Sequence, residues 1–377
     1  MKDADEFYKP EIKQKVLIDG IAGETIAKGS TGKIIQKGFL TSVQPNFASI
    51  ANNLTSIFYS YNSKDLVNSS LIIIKKDNTA KIYSKFPLSM LMRAKKDIKK
   101  GTLVNREDIF DIAKLEFKDS IYEINIEADD KIIYIFRMDW KFGIFFDFTK
   151  KIDSGKLKEE LGYCYKRLFY YDLYAFVKDE NYFNDLRADG WFPFIRLIGR
   201  NFDTIMQYYK EDKKHDFQID ELISEFTKEK IESFTQYWWK KQLFKDKKEI
   251  IEAGINSFLQ NDKNGFITCL HTLYPQIEGI MGFDYFNVNG KKPSFRELID
   301  HIKQKAESKF NTVSSTGFPT EFYEYLKKTV LKNFDLATGK VDLSRHTTSH
   351  GYANADDFNK AKALQAILIL DQIYFYL

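Results

Sequence analysis

A chain of 377 residues with 44% hydrophobic and 16% aromatic residues carries material for two or three cores, and 57 basic against 53 acidic side chains (net charge +4) excludes disorder by composition. That small positive excess permits a local nucleic-acid surface without requiring one. Two cysteines, Cys164 and Cys269, exclude a disulfide framework and point to a reducing compartment. The start, Met1 to Glu6, is charged where a secretory signal would be apolar, and no window approaches the roughly 18 apolar residues of a membrane span. The expected address is the cytoplasm, away from membranes.

In chain order, strands are predicted first, over about 12 to 150. Leu71–Ile74 and Ala80–Phe86 flank the turn cluster Lys75–Asn78, a hairpin signature. A second hairpin is predicted from Ile121–Ile126 and Ile132–Phe136 about Glu127–Lys131, with Phe142–Phe148 as a third strand. Short helices are predicted near Phe47–Tyr59 and Met90–Lys96. After Asp153, apolar residues recur at helical spacing over Leu157–Val177, Phe194–Tyr209, Asp220–Phe226, Lys230–Phe244 and Lys247–Gln260. The pattern continues over Gly265–Phe286, Ser294–Phe310, Pro319–Phe334, Asp342–His350 and Asp356–Leu377. The predicted class is α+β: a β-rich domain over 1–150, a helical connecting region over 151–246, and a terminal helical domain over 247–377.

Several motifs fail on inspection. Gly29-Ser30-Thr31-Gly32-Lys33 lacks the earlier glycine of a phosphate loop and has Ile34 where a metal-binding hydroxyl belongs, so a turn is predicted. Trp238-Trp239-Lys240-Lys241 reads as one core-facing tryptophan beside solvated lysines rather than a base-stacking surface. His215 sits in a charge run, and His271 and His301 stand singly in helical segments where packing is the expected role. No Cys-x-x-Cys pair or Gly-x-Ser-x-Gly elbow occurs.

The pointed feature is Arg345-His346-Thr347-Thr348-Ser349-His350. Two of five histidines fall four apart beside one of only nine arginines. Arginine is the cation that holds oxyanions in a fixed, bidentate geometry, and imidazole carries protons near neutrality. The segment resembles the catalytic motif of HEPN-domain ribonucleases: an arginine (Arg345), a polar neighbour (His346), a short spacer and a histidine (His350). Gly351 and one long apolar helix after it match that setting, and the resemblance covers about 247–377.

The resemblance implies a HEPN-like helical bundle and a metal-independent endoribonuclease with RNA as substrate and no cofactor. It also implies a homodimer with a composite cleft, and a role as toxin or defence effector. In that chemistry His350 moves protons, Arg345 stabilises the phosphate, and His346 positions a partner or shares proton transfer. Attack by a 2′-hydroxyl makes DNA a poor substrate. Positions five apart on an ideal helix diverge by about 140°. Arg345 and His350 therefore meet only if the helix ends between them, the arginine curls round, or a two-fold seam joins two copies. The aromatic end Ile373–Leu377 suits either that seam or the core.

Glu278, within Tyr274–Gly279, is an orienting ion pair for Arg345 or a surface carboxylate. Lys327, Lys328, Lys332 and Lys340 form a phosphate-tracking patch or a solvated face. Two alternatives stay open. Asp342, His346 and His350 share a helical face and could ligate a metal in a hydrolase, although Asp342 also suits a helix cap. A non-catalytic binding module is the other.

Overall fold

The computed structural model describes residues 7–58, 69–213, 216–310, 315–332 and 344–377. It is an α+β protein with two compact units, residues 1–93 with 112–174 and residues 94–111 with 175–377.

In the first unit a six-stranded antiparallel sheet runs in the order β1-β6-β5-β9-β10-β4. Its strands are β1 (Glu11–Lys15), β4 (Lys37–Thr41), β5 (Ser69–Ile74), β6 (Thr79–Tyr83), β9 (Lys131–Met138) and β10 (Lys141–Asp147). Two-residue strands β2 (Ile21–Ala22) and β3 (Ile34–Ile35) pair beside it, and Gly29-Ser30-Thr31-Gly32-Lys33 lies in the turn between them. The run Leu71-Ile72-Ile73-Ile74 is apolar without a break because both sheet faces are covered. Leu71 and Ile73 join Tyr134 and Phe136 beneath the helix Ser154–Phe169, whereas Ile72 and Ile74 join Ile133 and Ile144 beneath α1 (Phe47–Thr55).

The hairpin predicted at residues 71–86 is β5–β6. The second hairpin requires correction. Residues 121–126 contribute only a Lys118–Glu123 bridge, and β9 turns into β10 through Asp139-Trp140, with Asp139 in the left-handed region (φ 52°). The β9 strand already has β5 on its other edge, so no edge remains for 121–126. The predicted helix at Met90–Lys96 is instead strand β7 (Ser89–Ala94), fixed by pairing with β8 (Ile109–Glu116). A partner that remote leaves no periodicity to read.

The helix α2 (Ser154–Phe169) starts on Asp153, whose carboxylate accepts from Gly155 N and Lys156 N. It crosses β8 closely at Gly162, where a Cβ would lie 2.5 Å from Lys114 Cα. Because the obstacle is backbone, Gly162→Ala should destabilise the first unit by about 1–3 kcal/mol, read as a lowered midpoint in urea.

The second unit is helical: α3 (Tyr171–Lys178), of which residues 175–178 belong to it, α4 (Glu180–Ala188), α5 (Arg200–Lys210), α6 (Asp216–Ser224), α7 (Lys228–Thr235), α8 (Gln242–Lys245) and α9 (Lys248–Leu259). There follow α10 (Lys263–Asn289), α11 (Phe295–Phe310), α12 (Pro319–Tyr325), α13 (Arg345–Ser349) and α14 (Lys360–Tyr376). From Ala363 to Ile373 every residue of α14 is buried, as expected of a helix that is apolar all round.

Its polar residues are paired. Asp371 accepts from Arg196 (3.0 and 3.1 Å) and from Trp238 Nε1 (2.9 Å), while Gln372 accepts from Ile195 N and donates to Gly317 O. Tyr376 also donates to Gly317 O and is buried with Ile373, whereas Tyr374, Phe375 and Leu377 are half-buried. Trp238 faces the core as expected, but Lys241 is not solvated. It donates to Tyr374 O (2.5 Å), and burial, aided by Lys309, draws its amine down to about 7. Among the described residues no helix is long and apolar enough to cross a membrane.

Candidate functional site

The site is built on one stripe of α10. The helix begins on Asp262, which accepts from Gly265 N, and ends at Gly290 in the left-handed conformation (φ 69°). Positions 275, 278, 279, 282, 283 and 286 recur at three- and four-residue steps, so Pro275, Glu278, Gly279, Gly282, Phe283 and Phe286 form one face. The opposite wall comes from Lys292 to Phe295 and Leu298. There a capping pair fixes the start of α11: Ser294 N donates to Glu297 (2.9 Å) and Glu297 N to Ser294 Oγ (3.3 Å).

The third component is α13, shorter than the predicted Asp342–His350. Ser344 is its N-cap, with a reciprocal Thr347 bond (Ser344 N to Thr347 Oγ1, 2.8 Å), and His350 is its C-cap before Gly351 (φ 75°). The helix therefore does end between Arg345 and His350. Thr347 and Thr348 are buried and anchor this turn, leaving Arg345 and His346 half-buried and His350 exposed.

The structure brings Arg345, His346 and Glu278 together. Arg345 Nε lies 2.7 Å from Glu278 Oε2, an ion pair that steadies the guanidinium. Its Nη1 reaches His346 Nδ1 at 3.3 Å. A nitrogen that accepts from a guanidinium is unprotonated, which assigns the neutral ring's proton to Nε2. The rings of His346 and His350 are parallel within 2°, with centroids 6.4 Å apart. Arg345 and His346 line a cleft of about 540 Å³ with the α10 stripe; His350 does not.

Burial, then the charge of Arg345, then His350, lower the pKa of His346, against an opposing pull from Glu278. Arg345→Ala should therefore raise the His346 midpoint and Glu278→Gln should lower it, both read by NMR titration of the imidazole. A depressed histidine is neutral in the fold, so its contribution to stability is lost as pH falls below the unfolded value of about 6.5. His346→Gln should flatten the stability curve in that range.

Compared with models of known families, with curated proteins and with solved structures, the chain has no match.

The remaining candidates have structural partners or lie elsewhere. His271 stacks on Phe358 (5.3 Å), and buried His301 contacts Asp284 (2.7 Å), which also binds Lys305. Asp342, His215 and Lys340 lie outside the described residues. Among the described residues no group of three or more His, Cys, Asp or Glu side chains could hold a metal ion. Lys328 pairs with Glu324 and lines a second, polar cleft with Lys332, a cleft that Arg345 does not line. Sequence reasoning missed the aromatic wall of Phe283, Phe286 and Phe295. The one available signal was the spacing of Phe283 and Phe286 with Glu278 along α10.

Proposed function

We propose that this chain is a metal-independent endoribonuclease of HEPN type. The observation that carries the reading is Arg345, steadied by Glu278 and in contact with a neutral-leaning imidazole, on the wall of an open cleft. A phosphate entering there meets a guanidinium that Glu278 and His346 already orient, and such a planar cation binds phosphate oxygens in a fixed geometry. His346, lowered in pKa, accepts the proton of the 2′-hydroxyl. The 2′-oxygen bonds to phosphorus, the bond to the 5′-oxygen breaks, and that oxygen takes a proton from a second imidazole. Arg345 stabilises the charge that develops on the phosphate.

The reading includes a homodimer. His350 does not line the Arg345 cleft of its own chain, and His350 of a second copy supplies the donor. The experiment is cleavage of single-stranded RNA in excess EDTA by wild type, Arg345→Ala, His350→Ala and an equimolar mixture of the two variants. Each variant alone should be at least about 100-fold slower than wild type. The mixture should regain roughly a quarter of wild-type activity, because half of randomly mixed two-fold dimers carry one intact site. A silent mixture would return His350 to its own chain, and three equally active proteins would overturn the assignment.

A further inference from the structure

The cleft beside Arg345 is larger and more apolar than a phosphate needs. Its floor is the glycine surface of α10, its walls are exposed rings, and its rim carries cations. Phe283, Phe286 and Phe295 are exposed by 51, 50 and 44%, which is expensive to leave in water on three adjacent large side chains. Lys292 lines the same cleft, and Lys247 Nζ stands 5.1 Å from the Phe283 ring centroid.

The two glycines sharpen the point. A Cβ built on Gly279 or Gly282 meets nothing within 4 Å, so packing does not require either residue to be small. Each nevertheless weakens the helix by about 1 kcal/mol relative to alanine. What the pair produces is a flat, side-chain-free floor between an aromatic wall and an arginine.

We infer that this cleft receives one unstacked nucleobase of the RNA whose phosphate lies on Arg345, so that the substrate is single-stranded. A planar apolar group joined to an anion is the ligand whose two halves match aromatic rings beside a guanidinium. A base paired within a duplex cannot enter. The inference rests on the reading of Arg345 as the phosphate clamp, and it adds what lies next to that phosphate.

The test uses the full chain and an uncleavable probe, a single-stranded oligonucleotide with 2′-deoxy sugars, against an abasic oligomer with the same number of phosphates. Wild type should bind the base-bearing oligomer roughly 5- to 150-fold more tightly, the range for one stacked base. Phe286→Ala should erase most of that preference. Gly282→Leu, which fills the floor, should erase it too while unfolding at the wild-type temperature or higher, which separates a blocked cleft from a damaged fold. Equal affinity of wild type for the two oligomers would overturn the inference. So would a preference that survives both variants, or a change in self-association on Gly282→Leu without any base preference, which would make a second copy the occupant. Base preference without cleavage of any RNA would instead overturn the catalytic reading alone, and cleavage without base preference the cleft alone.

Discussion

Arg345→Ala should lower the rate of RNA cleavage by roughly 10²- to 10³-fold, the usual loss when one preorganised donor to a developing oxyanion is removed. The guanidinium is held from two sides, by Glu278 at 2.7 Å and His346 at 3.3 Å, so its orientation is set before substrate arrives. Arg345→Lys should recover little of the loss. A lysine ammonium is a point charge that cannot reproduce the planar fork, nor engage Glu278 and a phosphate together. Glu278→Gln should fall between wild type and Arg345→Ala, because it loosens the arginine without deleting it. Single-turnover rates at saturating RNA measure all three, and a wild-type rate for Arg345→Ala would remove the residue from the chemistry.

The largest effect on stability is expected at Asp371. Its carboxylate is 1% exposed and accepts from Arg196 twice and from Trp238 once, inside the helix that the second unit packs around. Asp371→Asn keeps the volume but leaves the Arg196 guanidinium largely buried without its counter-charge. Breaking a buried pair in this way costs about 3–5 kcal/mol. Replacing Arg196 with Met and Asp371 with Leu together should cost less than Asp371→Asn alone, since no unpaired charge then remains. Guanidinium titrations followed by tryptophan fluorescence report both variants. Equal stability of Asp371→Asn and wild type would mean that Arg196 finds another partner.

Most of the helical half was legible because its apolar residues recur at helical spacing between Gly, Pro, Asn and Asp breakers. The segments at residues 247–260, 265–286 and 294–310 correspond to α9, α10 and α11. The strands were harder. The run at residues 71–74 announced itself by β-branched density, but the partner of β9 was set by a two-residue turn at Asp139-Trp140 that carries no glycine signal. The strand Ser89–Ala94 owes its form to β8, a pairing invisible to a local window.

At the site, scarcity pointed to Arg345 and His346, and Glu278 stood out as a carboxylate in an apolar helix. The boundary of α13 was misjudged because its cap, Ser344, looked like an interior residue of a longer segment. The aromatic wall escaped notice for a different reason. Phe283 and Phe286 sit at helical spacing, and such spacing normally means core; their exposure is a property of the packed structure alone.

The most direct measurement is analysis of the ends produced when purified protein is incubated with single-stranded RNA in excess EDTA, beside the same oligonucleotide carrying 2′-deoxy sugars. Attack by a 2′-hydroxyl predicts 2′,3′-cyclic phosphate and 5′-hydroxyl ends from the RNA and an intact deoxy oligonucleotide. No cleavage in EDTA, or cleavage of both strands alike, would contradict it.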